Sequence, residues 1–165
     1  MVGPEPKLTQ AAGHSLAAFD ERMINLAEFT NSSAVTVSAG QNVPLTETAV
    51  AGKACIVHRE GAGIVTLRGL TQQCKARYKV SFGANIAIPT GGTVEAISIA
   101  LAINGEPLTS ATAVVTPAAV GNLFNVYVAA FVEVPRGCCL TVAAENTSTQ
   151  AITVSNANMI AEREA

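Results

Sequence analysis

The stretch Asn122 to Asn146, NLFNVYVAAFVEVPRGCCLTVAAEN, constrains this chain more than any other. Val126, Val128, Val132 and Val134 recur at period two, with Ala130 among them, and Leu140, Val142 and Ala144 repeat the pattern further on. Alternation of that kind belongs to β-strands with one buried face. Pro135-Arg136-Gly137 between the two runs reads as a turn. The other face of the first strand carries Asn125, Tyr127, Ala129, Phe131 and Glu133, apolar in the middle and polar at its ends. A solvated sheet face is polar throughout. Tyr127, Ala129 and Phe131 are therefore expected to meet another copy of the chain.

The same alternation recurs from Ala34 onward. AVTVS (34–38) and the run from Val43 to Val50 come first, and Pro44 marks the latter as an edge. ACIVHRE (54–60) and GIVTL (63–67) flank a turn at Glu60–Gly63. From Tyr78 to Ile88 one face holds Tyr78, Val80, Phe82, Ala84, Ile86 and Ile88, before a Pro89-Thr90-Gly91-Gly92 turn. Val94 to Ile103 runs into Asn104-Gly105, a strong tight-turn signal. Ile152 to Met159 closes the series. Roughly eight to ten short strands without βαβ alternation predict a sandwich or barrel, best matched by a jelly roll.

The N-terminal segment reads differently. Residues 1–7, with Pro4 and Pro6, form an extended arm, and Thr9 to Phe29 turns helical. Leu16, Phe19, Met23 and Leu26 are spaced three, four and three residues apart, a short heptad seam that either packs on the chain's own β domain or serves as a self-associating bundle or an anchoring helix on a larger assembly. Thr30 to Ser33 reads as a polar linker. The expected organisation is an arm and helix over 1–32 and a β domain over 33–165.

Composition narrows the function classes. Of 165 residues, 49% are hydrophobic and only 13% charged, so much of the outer surface is expected to be covered. A net charge of −2 gives no electrostatic reason to bind nucleic acid or an anionic membrane. No apolar run is long enough to span a bilayer. The N-terminus lacks a basic segment followed by an apolar one, so no secretory signal peptide is expected, and a chain found outside a cell would leave by another route, such as lysis.

Chemistry-bearing residues are sparse. Cys55, Cys74, Cys138 and Cys139 lack zinc spacing and read as small buried hydrophobes of a chain folded in a reducing cytoplasm. His58, one of two histidines, reads as an exposed residue at a strand end, and no motif ties it to Cys55 or Cys74 as a nucleophile pair. No GxSxG elbow occurs, and the scattered carboxylates come without the aromatic platforms of a sugar-cleaving groove. No enzyme, cofactor or metal is expected. Asn146-Thr147-Ser148 matches a glycosylation acceptor but, without a secretory signal, reads as a polar turn.

Taken in order, YKVSFGANIAI, ISIALAINGEPL, NVYVAAFVEVPRGCCLTVAAENTS and ITVSNANMIAER resemble the tumour-necrosis-factor-like jelly roll also seen in complement globular heads. Val134-Pro135-Arg136-Gly137, Leu140-Thr141-Val142 and Asn146 carry the resemblance, which covers residues 34–163. More narrowly, the closing segments are similar to small proteins of phages and prophages that serve as capsid decoration or head-fibre proteins. The resemblance implies a homotrimer packed through one sheet, with aromatics such as Tyr127 and Phe131 near the axis. It also implies a non-enzymatic structural role in a virion, with the N-terminal segment attached to the major capsid protein or another virion protein. The Asp-rich loops of the family's calcium-binding members are absent. The alternative is a receptor- or carbohydrate-binding module of a tail fibre or of a bacterial or spore surface. Such a module would recognise a host-surface glycan through loops at Gly61, Gly91 and Asn146.

Overall fold

The computed structural model describes residues 25–165. Eleven strands follow one another: β1 (Leu26–Asn31), β2 (Val35–Val37), β3 (Glu47–Val50), β4 (Ile56–His58), β5 (Val65–Arg68), β6 (Lys75–Ala87), β7 (Ile97–Ile103), β8 (Glu106–Val115), β9 (Phe124–Pro135), β10 (Cys139–Asn146) and β11 (Ile152–Arg163). They form two antiparallel sheets. One is ordered β3-β1-β11-β6-β9, with β2 beside β11, and the other β4-β5-β10-β7-β8. The all-β sandwich expected from the alternation is present, and Pro44 precedes an edge strand, β3, as its ring demands.

Period-two burial builds the interior. Tyr78, Val80, Phe82, Ala84 and Ile86 of β6 face Ile97, Ile99 and Leu101 of β7 across the core, with Val126, Val128, Val132 and Val134 of β9 at one side. Tyr78 is wholly buried, and its hydroxyl donates to the Arg68 carbonyl at 2.7 Å, linking one sheet to the other. Burial, with the Cys55 thiol beside it, pushes the Tyr78 phenol above its ordinary pKa.

Turn chemistry decides the connections. Asn104 and Gly105 adopt φ of 51° and 83°, the two left-handed positions of a tight hairpin between β7 and β8. The turn at Arg136-Gly137 is present too, with the Cys138 amide donating to the Pro135 carbonyl at 3.0 Å. It does not make a hairpin: β9 pairs with β6 and β10 with β5 and β7, so the turn carries the chain from one sheet to the other. Gly69 packs under this turn, where a Cβ would lie 2.1 Å from the Pro135 carbonyl oxygen.

The N-terminal reading needs correction where it overlaps the described residues. Leu26, expected on a helix, begins strand β1 opposite Glu162 of β11, and Phe29, also inside the expected helix, is buried in the core. Ala27, Phe29 and Asn31 are buried alternately, a period-two pattern that competed with the three-four spacing reaching Leu26 from upstream. Thr30 and Asn31 are not linker. Asn31 is buried, its Nδ2 donating to the Pro44 carbonyl at 3.0 Å. The sandwich therefore includes β1, ahead of the expected boundary at 32/33. Leu16, Phe19 and Met23 lie outside the described residues.

The sandwich has two distinguishable ends. The chain enters β1 and leaves β11 side by side at the lower end, together with the turns at Asn104 and Arg136. The loops after β4, β6, β8 and β10 gather at the upper end.

Candidate functional site

The outer face of the six-stranded sheet carries the residues expected to meet a second copy. Because β9 is an edge strand, its outward side chains stand at the rim of that face. Tyr127 and Phe131 are 63% and 64% exposed, and Ala129 between them is half-buried. The register sets Tyr127 opposite Gly83, Ala129 opposite Ser81 and Phe131 opposite Lys79. The tyrosine ring lies against the glycine: a Cβ on Gly83 would meet Tyr127 Cδ2 at 3.8 Å. Leu123, just before β9, adds another large apolar side chain at 61% exposure.

Polar groups bound this apolar band above and below. Below it, Lys75 Nζ and Arg77 Nη2 each approach Glu133 Oε2 at 3.1 Å. The Lys75 ammonium, and then the Arg77 guanidinium, hold the Glu133 carboxyl below its ordinary pKa. Above it, Asn125 Nδ2 donates to Asn85 Oδ1 at 3.1 Å, and Asn85 Nδ2 donates to Asn156 Oδ1 at 3.2 Å. Asn156 sits at a register irregularity in β11 with φ of 54°, a left-handed position that asparagine tolerates. The sequence marks Asn125 and Glu133 as the polar ends of this face but does not name the partners that each one meets. The signal for the lower one was Lys75, Arg77 and Lys79 alternating on the outward side of β6; the upper one needed the cross-strand register.

Other candidate residues fall elsewhere. Only Cys55 is a buried hydrophobe as expected; Cys74, Cys138 and Cys139 are exposed free thiols at the lower end. They belong to strand termini and a turn, where alternation no longer has a second sheet to face. His58 is half-buried rather than exposed. Its ring centroid lies 4.4 Å from that of Phe29, its Nε2 donates to the Ala62 carbonyl at 2.9 Å, and its Nδ1 is buried without a partner. The Cys55 thiol donates to Asn25 Oδ1 at 3.0 Å, so it is not paired with His58. Among the described residues, no three His, Cys, Asp or Glu side chains gather in a way that could hold a metal ion.

Asn146 is not a polar surface turn. It is fully buried, with Nδ2 donating to the carbonyls of Val37 and Gln150, both at 2.9 Å, and Oδ1 accepting from the Ser148 amide. Its place in the expected recognition rim is thereby removed. The Gly91 loop does border a shallow upper groove of about 520 Å³, lined by Thr36, Pro89, Thr90, Thr93 and Gln150. Gln150 spends both ends of its amide on the Thr93 backbone, at 2.9 and 2.7 Å.

The Eiger TNF of S. frugiperda matches over 85% of this chain and 92% of its own, at 15% identity and a TM-score of 0.63. The fold is a TNF-like jelly roll. The globular domain of the zebrafish complement 1qA protein matches this jelly roll over 83% of this chain and 94% of that one, at 11% identity and a TM-score of 0.58. The PRD1 vertex protein P5 covers 87% and 99%, at 11% identity and a TM-score of 0.50. Identities this low carry the fold and not the role. No protein-family model matches the sequence, and no curated protein matches it either. Among the described residues of the jelly roll, no helix is long and apolar enough to cross a membrane.

Proposed function

We propose that the chain is a non-enzymatic structural protein of a bacteriophage particle, of the capsid decoration or head-fibre kind. In this reading it acts as a homotrimer, and the segment before β1 attaches it to the major capsid protein or another virion protein. One observation carries the proposal: Tyr127 and Phe131 stand nearly two-thirds exposed on the outward face of an edge strand, with only Ala129 between them. Apolar side chains clustered this way mark association surfaces. An unpaired strand edge beside them is a liability that association covers. A closed three-fold ring satisfies both needs, and it gives each trimer three attachment segments, so weak single contacts sum to firm binding.

The lower end supports the attachment half of this reading. Leu26 enters the sandwich there, at the end opposite the upper loops. The fold likeness to a phage vertex protein is in keeping with a virion location and synthesis in a bacterial cytoplasm. A glycan-binding module, using the upper groove, is the second reading. That groove's most versatile side chain, Gln150, is already committed to the Thr93 backbone, which ranks it second.

Light scattering on the full chain and on residues 25–165 tests the proposal. Cutting before β1, and not after it, keeps the strand that pairs with β11. A trimer mass in both supports assembly through the sheet face. A monomer in both overturns it, and a trimer only in the full chain moves assembly to the N-terminal segment.

A further inference from the structure

We propose that the segment before β1 folds back along the side of its own sandwich and seats Leu16 and Phe19 in the groove between the edge strands β3 and β4. β3 ends the six-stranded sheet and β4 ends the five-stranded one. Among the described residues each pairs on one side only, β3 with β1 and β4 with β5. Between them runs a groove of about 490 Å³, lined chiefly by Phe29, Thr48, Ala51, Ile56, Val57 and His58. Phe29 is buried and forms its floor with His58, whose ring centroid lies 4.4 Å away. Val57 stands 46% exposed at the rim. Most of the lining is apolar and an open strand edge flanks it on each side. A chain lying there buries apolar surface and meets unpaired backbone groups.

The course of the chain says which segment can cover it. The lower mouth of the groove lies beside the entry to β1. The Cys55 thiol, next to Ile56, donates to Asn25 Oδ1 at 3.0 Å. A Cβ on Gly52, which also borders the groove, would lie 3.0 Å from Ile56 Cβ and 3.2 Å from Ala27 Cβ. Residues 1–24 therefore start from this mouth. A β-turn of about four residues reverses a chain, and Phe19 and Leu16 both lie beyond such a turn. An extended chain then advances about 3.3 Å per residue and a helix about 1.5 Å. On either count the two side chains come level with β4, which is three residues long.

Leu16, Phe19 and Met23 recur at three- and four-residue spacing, so the segment has an apolar side that needs cover as much as the groove does. β9 ends the same sheet as β3 but on the opposite side, so its aromatic band does not compete for this groove. The inference rests on neither the trimer nor the virion reading, and it leaves residues 1–15 for attachment.

The test replaces Phe19 with p-benzoylphenylalanine in the full chain, illuminates it, digests with trypsin and weighs the products. The expected adduct joins Leu8–Arg22 to Ala54–Arg59 within one chain. Mixing unlabelled with heavy-isotope-labelled chains separates links within a copy from links between copies. Val57→Asp should cut the yield roughly tenfold, because the docked segment would bury its charge. Without any photochemistry, Phe19→Ser in the full chain should shift the amide NMR signals of Gly52, Ile56 and Val57 and leave those of Ser81 and Ala129 in place. Absence of the adduct, or adducts only between copies, overturns the proposal. So do signals of Gly52, Ile56 and Val57 that ignore Phe19→Ser.

Discussion

On the six-stranded sheet, the outward positions of β6 and β9 carry Tyr127 and Phe131 between an ion-paired triad and a row of asparagines. On the five-stranded sheet, outward positions carry Thr66 of β5, Thr141 and Ala143 of β10, Ala100 and Ala102 of β7, and Thr112 of β8. Ala100, Ala102 and Ala143 are buried although they lie outside the core cluster. Ala100 sits between Thr112 and Glu145 in the ladder, whose longer side chains cover its methyl group. The middle of that face is closed by its own neighbours, and the large apolar side chains it leaves in solvent are the aliphatic Val57 of β4 and Val114 of β8, whereas the other face leaves the aromatic rings of Tyr127 and Phe131 in solvent. Both faces belong to one fold, so the fold alone does not call for exposed aromatics. The small-residue row of Ala96, Ser98, Ala100 and Ala102 reads in the sequence either as an ordinary outer sheet face or as tight packing near a symmetry axis. It lies on the sheet opposite Tyr127 and Phe131, and the two cannot line the same axis.

Breaking this contrast should have its largest effect through Phe131→Asp, which should convert the assembly to folded monomers, while Thr66→Asp on the other face leaves the mass unchanged. Light scattering with circular dichroism reads both. Equal masses for the two variants would erase the distinction between the faces. Next comes the inward side of the same strand. Val132→Ala removes buried methyl groups from the core and should cost about 2 kcal/mol of protomer stability without changing the assembled mass. A loss of assembly at equal stability would mean that the two sides of β9 are not separable.

The smallest effect is expected at the polar border. Glu133 is exposed, so Glu133→Gln should shift the stability of residues 25–165 less than either of the other two variants of β9 in denaturant melts. The sign follows from its lowered pKa. The folded chain holds Glu133 ionised more readily than the unfolded chain does, so the stabilisation is present above the ordinary glutamate value. It is lost as pH falls through the lowered one. The wild-type advantage should therefore vanish only in acid. An advantage that persists after Glu133 is protonated would assign it to something other than the Lys75 and Arg77 ion pairs.

Much of the sandwich was legible because burial on one side writes itself into the sequence every second residue. The inward faces of β6, β7 and β9, the Asn104-Gly105 hairpin and the turn at Arg136 follow from local pattern alone. β1 was not legible, because a six-residue strand following a three-four-three apolar spacing offers both periods at once, and only the partner β11 decides between them. The apolar middle of the outward face of β9 was readable from Tyr127, Ala129 and Phe131. Its polar ends at Asn125 and Glu133 were readable too, but not their partners: the Asn125–Asn85–Asn156 row depends on a register between three distant strands. The cysteines misled because thiols at strand ends resemble small core residues in composition while standing past the edge of the facing sheet.

The pairing of β1 with β11 has a mechanical meaning. Leu26 to Asn31 lie alongside Ala157 to Glu162 in one unbroken antiparallel register. If the segment before Leu26 is held fast and the upper loops are pulled, the load runs along β1 and not across it. The hydrogen bonds of that ladder are then strained together, in shear, and must fail as a group; they cannot unzip one after another. A head held by its first strand in this way resists drag far better than the strand's short length would indicate.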